Sequence, residues 1–454
     1  MELSKQPQTP ITLSNEQQEA FQKYTEGKNI FVTGPGGSGK SELIKRIYKH
    51  AQLHEKEIHV CAMTGCAAVL LRCKAKTIHS WAGIGLGKAS VEFLVKKINQ
   101  NRFARDTWKK TQVLIIDEVS MMSKKLFEML NQIGKSVRNN QRPFGGIQVI
   151  LFGDFYQLPP VGERDDPDTN KFCFESEDWL KIFPRTQQVE LVKIFRQSDT
   201  RFTDILNKMR VGELDKASVE ILQQYMGRDK NNQDFLTEPT KIMPRRERVV
   251  SINQEKLAQL TGEEKRFKIK FMYPENKILD EAKKAAYTTE LTFMSKNLIC
   301  DEEIVLKIGA QVMCVTNILS NEGDLEDREF ILCNGSQGIV TGFDKGNGFP
   351  IVKFNNGVVR VMTPNVWWNE KNPQIGVAQV PLILAWALTI HKTQGATLDV
   401  AEIDVGDGIF EYGQTYVAIS RVKTLNGLYL ASFDAKRVRA DKKVVEYYST
   451  LHKP

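Results

Sequence analysis

Cysteine is scarce and carries no pairing pattern. The 454 residues include seven cysteines, an odd number, with no C-x-x-C pair. A disulfide scaffold is excluded, and a reducing compartment fits this usage. Cys61, Cys66 and Cys73 lie close together, but no His follows at zinc-ligand spacing, so they read as small buried residues. Long apolar runs are also lacking. The longest, PLILAWALTI at 381–390, is about half of the ~20 residues a membrane-spanning helix needs. The first fifteen residues contain no Arg and no apolar core, so neither a secretory nor a transit leader is expected. An intracellular setting follows as an expectation, with nucleus, nucleoid and viral factory equally compatible. A strong excess of one charge is missing too: 63 basic against 55 acidic residues leaves +8. That balance hints at a polyanionic partner and suits solubility equally well.

What is present is an ordinary folded composition, with length for roughly three domains of about 150 residues. Apolar runs at 30–33 (IFVT), 58–63 (IHVCAM), 113–116 (VLII) and 147–152 (IQVILF) read as buried strands. Helix-like segments at 41–50 and 124–137 lie between them, so βαβ units and a parallel sheet are predicted. The same grammar returns at 188–191, 241–243, 385–389 and 428–431, which predicts a second α/β domain from about residue 186. Between 304 and 372, short alternating runs (QVMCV, GIVTGF, PIVKF, GVVRVM) are separated by Gly/Asn turns. They predict a small antiparallel barrel inserted in the second domain.

Three motifs carry chemistry. GPGGSGKS at 34–41 satisfies G-x-x-x-x-G-K-[ST], between a strand and a helix. Gly34, Gly36, Gly37, Ser38 and Gly39 form a loop whose backbone N–H groups point at phosphate, and the helix N-terminus adds its dipole. Lys40 reaches the β- and γ-phosphates, and Ser41 ligates Mg²⁺. The bland alternative is a Gly-rich turn before a helix. Next, the strand at 113–116 runs into Asp117 and Glu118. Asp117 is the candidate Mg²⁺ holder and Glu118 the residue that polarises attacking water. Third, GDFYQLPP follows the strand at 147–152 and places Gln157 to sense a γ-phosphate or position water. A loop turned by two prolines is equally consistent with those residues alone.

GPGGSGKS, IIDEVSMM, GDFYQLPPV, IFRQ, ALTIHKTQGATLD and YVAISRV occur in this order. Together they resemble the motif series of superfamily-one DNA helicases. CAMTGCAA, KTIHSWAGIGLG and RPFGGIQ resemble signatures of the PIF (petite integration frequency) helicase family. The resemblance runs from about residue 13 to 430. It implies two RecA-like motor domains, at 1–185 and at 186–303 with 373–454, a wedge insertion near 78–110, and an SH3-like barrel at 304–372. A chain that is the motor core alone, without the N-terminal extension of some members, is the corresponding expectation.

The resemblance also implies residue roles. Gln17, in LSNEQ, matches a glutamine that pairs with adenine, while the same segment reads as a helix-capping sequence. Arg196 and Arg421 match two arginines of the second domain that meet the γ-phosphate. Gln394 and Gly395 fall in the motif linking the ATP cleft to the DNA groove. Thr64, Thr77 and His79 match strand-contacting positions of the first domain, and Thr389, His391 and Lys392 their counterparts in the second. Hydroxyl, imidazole and ammonium groups suit phosphate contact without reading sequence.

The implied activity is 5′-to-3′ movement on single-stranded DNA, driven by ATP and Mg²⁺. Unwinding of duplex, fork, G-quadruplex or RNA–DNA hybrid follows, in replication, repair, recombination or telomere maintenance, by a chain that is monomeric when free. The rivals are a RecD-type motor and an ATP-gated clamp on single-stranded DNA. RPFGGIQ argues against the first, and a complete hydrolytic set against the second. The segment KKINQNRFARDTWKK at 96–110 has six basic residues and one acidic, with Phe103 and Trp108 interleaved. It reads either as a strand-binding element or as a solvated helix face. The pair Trp367-Trp368 reads as core plus rim rather than as a stacking platform.

Overall fold

The computed structural model describes residues 13–451 except 72, 86, 164, 196–198, 230–235, 275–279, 297, 317, 320–329, 333, 370–371, 373 and 394–395. The first sheet contains β1 (Ile30–Thr33), β2 (Ile58–Ala62), β3 (Lys76–Thr77), β4 (Val113–Asp117), β5 (Gln148–Gly153) and β6 (Gln188–Glu190). Their order is β3-β2-β4-β5-β1-β6, and every pairing is parallel. β1 and β4 are buried along their whole length, as continuous apolar runs require in a sheet covered on both faces. Helix α1 (Asn15–Thr25) precedes the sheet. Helix α2 (Lys40–Leu53) follows β1 and lays Leu43, Ile44, Ile47 and Ala51 on it.

One strand has a different neighbour from the one expected. The run at 188–191 was predicted to open the second domain. Instead β6 lies against β1, with Phe31 opposite Gln188 and Thr33 opposite Glu190. An apolar run specifies a buried strand but not the strand beside it, and β1 offers an edge that needs backbone partners.

The region at 78–110 folds as α4 (Ile78–Ala82), α5 (Val91–Gln100) and α6 (Arg102–Lys110), after α3 (Gly65–Leu71). Leu94, Ile98, Ala104 and Trp108 join the first domain's core. Trp108 is fully buried, packs on Trp81 at 4.5 Å and donates to the Ala82 carbonyl at 3.0 Å. It is therefore a core residue, while Phe103 projects from the same helix at 68% exposure. RPFGGIQ also packs: Phe144 crosses Gly134 of α7 (Lys124–Arg138), where an added Cβ would sit 2.7 Å from the Phe144 backbone.

The second parallel sheet holds β7 (Thr240–Met243), β8 (Ala387–Thr389), β9 (Ala401–Val405) and β10 (Leu428–Phe433), in the order β8-β7-β9-β10. Helix α8 (Thr200–Val211) covers it with Phe202, Ile205, Leu206 and Met209. Antiparallel strands interrupt the domain and reach beyond 304–372 on both sides. Glu264–Lys268 pairs with Glu303–Lys307, and Leu382–Leu384 closes the far edge of a five-stranded sheet. A three-stranded sheet of Asn365–Trp368, Gly376–Gln379 and Lys270–Met272 packs on α9 (Glu281–Lys296). After β9 comes α10 (Gln414–Ile419), and the last helix, α11 (Lys442–Ser449), returns to the first domain. Its Val444, Tyr447 and Tyr448 lie in the first core, where Trp179 donates to the Tyr447 hydroxyl at 3.1 Å. No helix among the described residues is long and apolar enough to cross a membrane.

Candidate functional site

The loop between β1 and α2 opens at the C-terminal edge of the first sheet, the usual ligand edge of open parallel sheets. Gly39 is the N-cap of α2 at φ +84°, and a Cβ there would lie 2.5 Å from Gln17 Nε2. Only glycine allows both the backbone angle and the close approach. Lys40 turns back into the loop, donating to the carbonyls of Gly34 at 2.7 Å and Pro35 at 3.0 Å. Burial holds its ammonium below the usual lysine range, against the opposing pull of Asp154, Glu118 and Asp117. Ser38 is buried and its hydroxyl has no hydrogen-bond partner. An unpartnered buried hydroxyl costs about 1–3 kcal/mol. A phosphate oxygen would satisfy it, so the cradle fits a polyphosphate.

Asp117 ends β4 inside the same cavity. Burial, and then the neighbouring Glu118, push its carboxyl up to about 7. A divalent cation would take the place of that proton, so the position fits a metal ligand. Glu118 sits at φ +57°, a backbone region L-residues rarely occupy, which turns its side chain away from the strand's ordinary alternation. A cavity of about 400 Å³ gathers Gly36, Gly37, Gly39, Lys40, Ser41, Asp117, Glu118, Gln157, Phe195 and Arg421. Arg421 arrives from the second domain. Its guanidinium is buried and fixed by bonds to the Val417 carbonyl at 2.8 Å and the Ser420 hydroxyl at 2.9 Å.

Gln17 joins the start of α1 to the phosphate loop. Its side chain accepts from the Ser14 N–H at 2.9 Å in a capping box, and its amide donates to the Gly39 carbonyl at 3.3 Å. Arg196, Gln394 and Gly395 lie outside the described residues.

Two groups escaped the sequence reading. Tyr416, on α10 of the second domain, accepts the Gly36 N–H at 3.0 Å. Burial pushes its phenol up to about 12, so it remains a neutral latch on the phosphate loop. It lies inside YVAISRV, five residues before Arg421, and that motif was the only signal for it. The second is Arg210, next to the apolar stripe of α8. It grips buried Asp154 through Nε and Nη2 at 2.9–3.1 Å, and reaches Glu190 at 3.3 Å. Its guanidinium lies over Tyr156 at 4.7 Å and Tyr448 at 5.2 Å. The Tyr448 hydroxyl, in turn, hydrogen-bonds Thr33 and receives the Phe155 N–H at 3.2 Å. Asp154 heads the turn that carries Gln157, whose N–H donates to the Asp154 carbonyl at 2.9 Å. A second-domain helix thus holds the first-domain loop that faces the cavity.

The three threonines matched to strand contacts share one local role. Thr64 accepts from Ala67 N–H at 3.2 Å, Thr77 from Ser80 N–H at 3.3 Å and Thr389 from Lys392 N–H at 3.2 Å. Each caps a short helical turn just past the C-terminal end of a parallel strand. Thr64, Thr77 and His79 line one cleft of about 630 Å³, together with Lys76 and Lys97. Thr389, His391 and Lys392 stand at the end of β8 in the second domain, outside that lining, with Lys392 3.9 Å from Asp301. Burial lowers the pKa of both His79 and His391, so each imidazole is neutral at pH 7.

Residues 12–220 match the family model described as PIF1-like helicase, and residues 293–343 match the one described as DNA helicase Pif1, 2B domain. The human ATP-dependent DNA helicase PIF1 is 36% identical over 452 residues, covering 98% of this chain and 65% of that protein. A crystal structure of Pif1 helicase from Candida albicans shares 35% identity at a TM-score of 0.76, over 97% of this chain and 100% of that one. The chain belongs to the PIF1-like helicase family. Its two parallel sheets are the RecA-like motor domains of the Pif1 structures. A Bacteroides Pif1 bound to single-stranded DNA is similar at a TM-score of 0.64 and 26% identity, over 97% of each chain. The chain spans 63–65% of the length of the first curated PIF1 relatives it matches.

Proposed function

We propose that this PIF1-like chain is an ATP-driven DNA helicase motor that moves 5′-to-3′ along single-stranded DNA. The observation that carries the ATP-driven motor is the shared cavity: the phosphate loop, Asp117, Glu118 and Gln157 come from one motor domain and Arg421 from the other, whose Tyr416 also accepts the Gly36 N–H. The 5′-to-3′ direction rests on the family resemblance. The loop N–H groups, Ser38 and Lys40 bind the phosphates. Ser41 and Asp117 would hold Mg²⁺, which would neutralise phosphate charge when bound. Glu118 orients the attacking water and Gln157 contacts the γ-phosphate side. Arg421, with Arg196, meets the charge that spreads over the transferred phosphoryl oxygens.

Because these groups span two domains, ATP favours the closed arrangement and loss of the γ-phosphate releases it. Thr64, Thr77 and His79 on one domain, and Thr389, His391 and Lys392 on the other, then shift relative to each other along a bound strand. Steady-state hydrolysis with and without single-stranded DNA tests the motor against an ATP-gated clamp. Stimulation by DNA is the expected result. Polarity is checked with partial duplexes bearing a single tail; unwinding of the 3′-tailed substrate alone overturns the direction.

Arg421→Ala keeps nucleotide affinity within a few-fold and lowers turnover by roughly 10³ or more, the range for a charge-stabilising arginine. Equilibrium nucleotide binding and single-turnover hydrolysis separate the two effects. On the strand side, neutral His79 releases no counterion, so His79→Asn weakens DNA binding while leaving its salt dependence unchanged. Lys97→Ala flattens the slope by about 0.7, the single-strand value per phosphate neutralised. Titrations across a salt series distinguish them.

A further inference from the structure

The 630 Å³ cleft has two walls of different chemistry. The first motor domain supplies Thr64, Thr77, His79, Lys76 and Lys97. The antiparallel insertion supplies Phe293, Met294, Leu298, Trp367 and Trp368, with Glu290. Two large aromatics face this one cleft with half their surface exposed: Phe293 is 50% exposed and Trp368 51% exposed. Trp367 behaves as the sequence predicted and packs against the second domain's core. Its neighbour does more than form a rim.

Trp368 is also seated. It pairs across the antiparallel ladder with Gly376, and a Cβ on that glycine would lie 3.0 Å from Trp368 Cε3. The indole therefore rests on bare backbone, which restrains the ring before any ligand arrives. A restrained ring loses little freedom on binding, so more of the contact energy remains as affinity.

We propose that Trp368, with Phe293, forms a stacking subsite for one unpaired base of the bound DNA strand. A wholly apolar partner would meet hydroxyls, an imidazole and two ammonium groups on the opposite wall. A nucleotide suits both walls, because its phosphate faces the lysines and its base offers a π-face to the indole. Glu290 repels phosphate from the insertion side, which sets the backbone on the motor-domain wall and turns the base toward Trp368. The subsite reads no sequence, since every base has a π-face. It deepens the DNA role assigned above to Thr64, Thr77 and His79, and rests on it.

The test uses the full chain without nucleotide and a fluorescent oligothymidylate. Trp368→Ala weakens binding by roughly ten-fold or more, the effect of losing one aromatic–base stack. Its salt slope stays at the wild-type value, because no phosphate contact is lost. Trp368→Phe restores most of the affinity, and Phe293→Ala shows a smaller loss. An abasic-site scan through the oligonucleotide finds one position that costs the wild type as much as Trp368→Ala does, and costs that variant nothing further. Equal affinity of wild type and Trp368→Ala, or an abasic penalty that persists in the variant, overturns the subsite. So does a Trp368→Ala defect confined to self-association. Failure of the wild type to bind single-stranded DNA at all would instead remove the DNA reading itself.

Discussion

Lys40→Ala lowers ATP hydrolysis by at least roughly a hundred- to thousand-fold, the scale for losing one preorganised charge stabiliser, while single-stranded DNA still binds. The Lys40 ammonium is buried in the phosphate loop and feels Asp154, Glu118 and Asp117. Among the described residues lining this cavity, Lys40 and Arg421 are the cationic side chains. Without Lys40 the developing phosphoryl charge faces Asp117 and Glu118 with one fewer positive neighbour. The cleft proposed for the strand has a separate lining, with Thr64, Thr77 and His79 but not Lys40. Steady-state hydrolysis and fluorescence anisotropy on a labelled oligonucleotide measure the two properties independently. Turnover at the wild-type rate would refute the role given to the loop.

Arg210→Ala destabilises the folded chain by about 3–5 kcal/mol, the usual cost of removing one partner from a buried ion pair. Asp154 is fully buried and takes two guanidinium nitrogens, so its charge has no water to fall back on. Losing Arg210 also removes the cation that lies against the stacked Tyr156 and Tyr448 rings. The turn bearing Gln157 then loosens, and DNA-stimulated turnover falls further than nucleotide affinity does. The double variant Arg210→Met with Asp154→Asn removes both charges, so it regains much of the stability but not the stimulated rate. Urea midpoints alongside ATPase assays read this cycle. A midpoint unchanged in Arg210→Ala would show that the pair is not the joint between the domains.

How much was legible varied with how local each feature is. The phosphate loop is eight consecutive residues, so its glycine conformations and the following helix are written side by side. Asp117 and Glu118 follow directly from a buried strand that must end at solvent or a ligand. Parallel α/β architecture was readable because apolar runs and amphipathic stretches alternate over hundreds of residues. Trp108 was ambiguous for a physical reason: a basic, amphipathic helix presents the same composition whether its tryptophan points at DNA or at the core. Only the packing on Trp81 and the bond to Ala82 place it inside. Trp368 went the other way, because Gly376 across the ladder, which restrains its ring, is defined by register rather than by spacing.

The sequence alone determined the chemistry that contiguous residues can specify: a phosphate cradle, an acidic strand end, and the family to which their order points. Tertiary structure decided what joins them. Tyr416 meets Gly36 across 380 residues, Arg210 meets Asp154 across 56, and Tyr448 returns from the last helix to Thr33 of the first strand. Such pairs leave no periodic trace, since each partner is fixed by the packing of its own element. The contacts of Tyr416 with Gly36 and of Arg210 with Asp154 join the two motor domains, while Tyr448 ties the last helix to the first domain, and each became visible only once the chain was folded.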